Sequence, residues 1–174
     1  KLDYSDNIGT FSRLIFNEND DVFDVFSEDS EIFWDKIKAL YTMLKDMSSS
    51  RPSVVFHIED MLRDIDNKEI NPNFRGIRGG FLNHDYNILH FMISISVMAK
   101  TEEEDRCFLN CIKKLVEKCK KIDAFTLQYK YTALHLAYIS ENHKIVKILL
   151  DAGADVDAKD LINQTPAKYE ELWN

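Results

Sequence analysis

The sequence predicts an all-α fold: a stack of short helix-turn-helix units joined by β-hairpin loops, with a degenerate first unit and a helical cap before it. Three observations predict it. First, one segment recurs along the chain. TALHLA (132–137) returns as NILHFM (87–92), and QTPAKY (164–169) carries the start of a third copy, with Thr132 and Thr165 separated by 33 residues. Second, the apolar residues inside each recurrence fall at helical spacing. Third, 174 residues with 45% hydrophobic content suffice for one compact domain or one short stack of repeats.

Residues 1–30 are expected to form the acidic helical cap. Residues 1–31 hold nine acids against Lys1 and Arg13, which is −7 of the formal −8. The same stretch carries Phe11, Leu14, Ile15, Phe16, Val22, Phe23, Val25 and Phe26. That is too much large apolar surface for a free acidic tail, so the segment is expected to dock and cap the bare face of the first repeat.

A repeat over about 31–81 follows. Ile32, Phe33, Ile37, Leu40, Tyr41 and Leu44 keep helical spacing, as do Val54, Val55, Ile58, Met61, Leu62 and Ile65 after a Ser50-Arg51-Pro52 start. Ile70-Asn71-Pro72 aligns with Val156-Asp157-Ala158, yet 17 residues separate Ile70 from Asn87 where nine separate Val156 from Thr165. A hairpin eight residues longer than the standard one is implied. It contains Phe74, Arg75, Arg78 and Phe81 among three glycines, a composition that fits either a mobile finger for an acidic or phosphorylated peptide or a floppy insertion with no partner.

The next repeat, about 82–126, is twelve residues longer than the 33-residue step. One surplus residue falls in its hairpin and eleven between its helices, near 96–106 around TEEED, as a longer helix or an acidic loop. Its second helix places Phe108, Cys111, Ile112, Leu115 and Val116 inward, which turns Lys113, Lys114 and Lys118, with the following Lys120 and Lys121, to water.

The repeat at 127–159 is the most regular. Thr132 can cap a helix whose Leu134, Leu136, Ala137 and Ile139 share one side, and small Ala137 lets the paired helix approach. Ile145, Ile148, Leu149 and Leu150 form the second stripe, and Gly153 supplies the positive φ that ends it. A partial repeat over 160–174 stops at Trp173-Asn174, inside a first helix. It reads either as a capping half-repeat or as the end of an excised piece of a longer protein, the reading that the N-terminal Lys1 favours.

A 33-residue period with a TPLH-like helix start, a second apolar helix and a GAD turn resembles the ankyrin repeat family, over roughly 31–174 and most closely over 127–174. The resemblance implies a non-catalytic scaffold whose partners lie along a concave face of hairpin tips and first helices. It implies that His90 and His135 hydrogen-bond across neighbouring hairpin turns. Glu141 stands where the family usually has the turn glycine, so strain or a rearranged turn is expected there. Counting from each helix start, the face should expose Tyr86, Ile95, Tyr129, Tyr131, Ile139, Leu161 and Ile162. Apolar groups at solvated positions mark a binding site, with either a protein partner or the chain's own acidic segment or 72–84 loop as the cover.

Other classes find little support. The net charge opposes nucleic acid, and RGIRGG (75–80) is a single copy of the glycine-arginine type seen in RNA-binding segments. The longest uncharged apolar stretch, 88–99, falls far short of the roughly 20 residues of a membrane span. GxSxG, HExxH and GxxxxGK are absent, so no catalytic, cofactor or metal residue is expected. Cys107, Cys111 and Cys119, odd in number and without a CxxC pair, suit an intracellular, cytoplasmic or nuclear setting. The function expected is an adaptor or scaffold in signalling. Rival readings are an ankyrin module of a larger signalling protein, enzyme or secreted effector, and an inhibitor of the IκB type that masks a transcription factor.

Overall fold

A computed structural model of the chain describes residues 28–46, 51–75 and 86–173. The cap expected over 1–30 lies outside them except for Glu28, Asp29 and Ser30, which open the first helix.

Six α-helices occupy the described residues: α1 (Glu28–Lys45), α2 (Arg51–Asn67), α3 (Ile88–Ile95), α4 (Glu102–Lys118), α5 (Ala133–Ile139) and α6 (His143–Asp151), with 3-10 runs η1 (Ser96–Met98) and η2 (Pro166–Trp173). They pair as α1/α2, α3/α4 and α5/α6. The inner row runs α1, α3, α5, η2 and the outer row α2, α4, α6, each element packing on the next. Neither stripe of a pair is covered by its own partner alone, so the rows close the core between pairs. Phe33 and Ile37 of α1, Ile58 of α2, Leu89 and Met92 of α3, and Phe108 and Ile112 of α4 are fully or almost fully buried. Each such side chain contributes about 1.5–3 kcal/mol by leaving water.

The surplus in the second pair has a definite location. α4 has 17 residues where α6 has nine, and six residues (96–101) join α3 to α4 where three (140–142) join α5 to α6. Of the two forms expected for TEEED, the longer helix is the one found. Thr101 caps it by accepting from the Glu104 amide at 3.1 Å, while the Glu104 carboxylate reaches back to the Lys100 amide at 2.7 Å. One orphan amide of the first turn and the amide just before the cap are thereby satisfied. The extra hairpin residue also shows: the Thr126 amide donates to Tyr131 O across residues 127–130, whereas the Asp160 amide donates to Gln164 O across 161–163.

Several expectations need correction. No strand forms among the described residues, only an isolated bridge between Phe125 and Thr132, so the fingers are turns and not full β-hairpins. The stripe of α6 is Ile145, Val146 and Leu149, with Ile148 partly buried and Leu150 turned outward. The lysines of α4 are not all simply solvated: Lys114 pairs with Asp66 of α2, and the Lys118 ammonium donates to Lys68 O at 3.3 Å. The expected helix after Thr165 is instead the 3-10 run η2.

Candidate functional site: the finger row

In the inner row, α3 and α5 each begin with a cap and a histidine three residues after it. Asn87 Oδ1 accepts from the His90 amide at 2.7 Å, and the Asn87 amide donates to His90 Nδ1 at 3.2 Å. Thr132 and His135 repeat the arrangement, with Oγ1 accepting from the His135 amide at 3.3 Å and the Thr132 amide donating to Nδ1 at 3.1 Å. The other ring nitrogen reaches the following finger: His90 Nε2 donates to Ala124 O at 2.8 Å and His135 Nε2 to Gln164 O at 3.0 Å. A carbonyl can only accept, so Nε2 carries the proton and Nδ1 is bare. Burial, with the nearby Arg75 charge, pushes His90 down to about 3; burial also lowers His135. Both rings are neutral pins that hold fingers to helices.

Further ties join finger to finger. Arg75 donates to Phe125 O at 2.5 Å, the Asp155 amide to the Asp123 carboxylate at 2.8 Å, and the Leu161 amide to Tyr129 O at 2.9 Å. The last of these sets the tips of the second finger (127–130) and the third (161–163) side by side. Asp160, almost fully buried at the base of the third tip, organises that tip: Oδ1 accepts from the Ile162 and Gln164 amides at 3.0 and 2.9 Å, and Oδ2 from the Tyr169 hydroxyl. Burial works against its charge, but the Tyr169 hydroxyl and the two amides together hold its carboxyl below the usual value. Burial, then this same bond, pushes the Tyr169 phenol up.

The predicted site residues separate into three groups. Tyr129, Ile139, Leu161 and Ile162 are exposed, at 46%, 42%, 57% and 68%. Tyr129, Leu161 and Ile162 gather at the joined tips, flanked by exposed Lys130 and Lys159. Tyr131 and Tyr86 are half-buried. Tyr131 stacks on Tyr129 at 5.5 Å and meets Tyr169 edge-on at 5.8 Å, so it supports the surface from beneath, while Tyr86 lies edge-on to His90. Phe74 and Ile95 are only 3% exposed and belong to the core, a correction for both. Phe74 is held there because its amide and carbonyl close the chain onto Asn71 and Ile88. Arg75 is half-buried and ties its finger to Phe125 O. Arg78 and Phe81 lie outside the described residues. Asp160 was not anticipated, although an Asp placed two and four residues before amides that a tight tip leaves unpaired is the sequence signal of such a turn.

Elsewhere, a shallow cleft of about 410 Å³ lies between 96–105 and 140–142, lined by Lys100, Thr101, Glu102, Asp105 and Glu141. Burial raises all three thiols, Cys111 beyond the ordinary range and Cys119 to about 11. Thiols held protonated are poor nucleophiles. Among the described residues no His, Cys, Asp and Glu cluster fits a metal, and no helix is long and apolar enough to cross a membrane.

A family model for ankyrin repeats in three copies matches residues 83–160. A comparison with curated proteins returns no match.

Proposed function

We propose that this chain, whose residues 83–160 match the family model for ankyrin repeats, recognises a protein partner through the joined tips of its second and third fingers. Ankyrin repeats are in general protein-interaction modules, and such domains are typically non-catalytic. The observation that carries the proposal is the exposure of Tyr129, Leu161 and Ile162 on tips made rigid by Asp160 and by the bond from the Leu161 amide to Tyr129 O. A turn so constrained loses little entropy on binding, and aromatic and aliphatic anchors held in place are what interfaces use.

The role is that of a non-catalytic adaptor or scaffold in intracellular signalling. The test is affinity capture with the wild-type chain and with Leu161→Asp/Ile162→Asp, two side chains that point to solvent and can change without loss of core. A partner retained by the wild type and lost by the folded double variant supports the surface. The same partners in equal amounts on both chains would defeat it.

A further inference from the structure

The apolar tips have a cover of matching chemistry within the same chain. We propose that residues 11–26 dock across the tips of the second and third fingers and compete there with the partner, an inference that rests on the tips being the recognition surface.

Composition is the first argument. FSRLIFNENDDVFDVF (11–26) holds eight large apolar side chains and four acids against one arginine. The tips offer the complement. Tyr129, Leu161 and Ile162 are apolar and exposed, and the flanking Lys130 and Lys159 make no ion pair among the described residues. An apolar segment studded with carboxylates gains both area and charge by lying there.

Position is the second. The start of α1 stands on the finger side of the stack: Ser30 Oγ accepts from the Asn71 amide at 2.9 Å and the Asp29 carboxylate from the Glu69 amide at 3.2 Å. From α1 to α5 is two steps of the inner row, about 8–10 Å each. Sixteen residues in extended form reach up to about 55 Å, so the tips are well within range.

The rival seat is the end face of the stack, where Ile32 and Phe56 are 41% and 67% exposed. Its cations are already committed. Lys36 is held by Asp60 and Asp64 at 2.6 Å each, and Arg63 binds Asp60 at 3.2 Å while lying over the Phe56 ring. Among the described residues, an acidic segment finds Lys36 and Arg63 already held by carboxylates there.

Hydrogen exchange on the full-length chain tests the seat. Amides in 11–26 should exchange at least tenfold more slowly than in a peptide of the same sequence. That protection should vanish in Leu161→Asp/Ile162→Asp and weaken in Lys130→Glu/Lys159→Glu, while α2 to α5 stay protected. It should survive in Phe56→Asp and be unchanged on tenfold dilution. Free-peptide exchange in the wild type overturns the proposal. So does protection lost in Phe56→Asp but kept in the tip variant, which places the segment on the end face, or protection lost on dilution, which assigns it to a second copy. Partner capture separates the two claims: Phe23→Ser/Phe26→Ser should retain more partner than the wild type. If 11–26 exchanges freely and the tip variant still loses partner, the recognition surface stands without its internal competitor.

Discussion

Three non-glycine residues adopt the left-handed backbone: Lys130 (φ 55°), Glu141 (φ 55°) and Asn163 (φ 64°). Lys130 and Asn163 occupy the same place in successive fingers, two residues before Thr132 and Thr165, and asparagine tolerates that conformation better than lysine does. Glu141 confirms the strain expected from its position. Its exposed side chain has no hydrogen bond to lose, so Glu141→Gly should raise stability by about 1 kcal/mol, less the entropy glycine adds to the unfolded chain. Urea unfolding reads this directly, and a lowered midpoint would mean that the carboxylate has a role not visible in its surroundings. His135 should behave in the opposite way. Truncation to alanine strands Gln164 O and the Thr132 amide, and a loss of about 1–3 kcal/mol in the same assay is expected.

Among the elements, α4 shows how local chemistry sets a boundary. Four acids crowd its first turn; Lys144 of α6 answers Asp105 at 3.3 Å and Arg106 lies 3.9 Å from Glu103. Acids at a helix N-terminus face the positive end of the helix dipole, which makes TEEED a start signal and not a loop. The Thr-x-x-Glu spacing of Thr101 and Glu104 is written in the sequence and suffices to place the boundary once Thr101 is read as the cap and Glu104 as the side chain that folds back before it. Thr101→Ala should cost about 1 kcal/mol, and Glu104→Ala more, because Glu104 is fully buried while its carboxylate holds the Lys100 amide. Calorimetric melting of the two variants checks the order. A Thr101 variant as stable as the wild type would show that packing of α4 on α2 alone fixes where the helix begins.

At the scale of the whole molecule, the stack was legible because repetition is: three helix starts, the glycine at 153 and the surplus in the second pair can all be read from spacing. What could not be read was which members of a regular position leave the surface. Ile95 and Ile139 fall one residue apart in register, and a single step around a short helix sends one into the core and the other to water. Phe74 was misplaced for a similar reason, since only the fold brings 72–74 back onto the start of α3. The histidine pins tie this repetition to solution conditions, because both must remain neutral for the fingers to stay attached. A neutral histidine whose folded value is depressed stabilises fully above the unfolded value near 6.5, and that stability erodes as pH falls toward the folded value, about 3 for His90. Between those limits the unfolded chain binds a proton that the native one refuses. His90 then removes up to about 1.4 kcal/mol per pH unit near pH 5, and His135, also held low by burial, adds a slope of the same sign below its unfolded value. Asp60 and Asp160, whose carboxyls are held low, add the same sign of effect only at lower pH, near and below the ordinary carboxylate range. Unfolding free energies measured from pH 7 to 5 should therefore fall with decreasing pH in the wild type. His90→Gln/His135→Gln, less stable at pH 7, should show a markedly flatter profile. A wild-type profile that is flat over this range, or an undiminished slope in the double variant, would mean that the rings protonate without releasing the fingers.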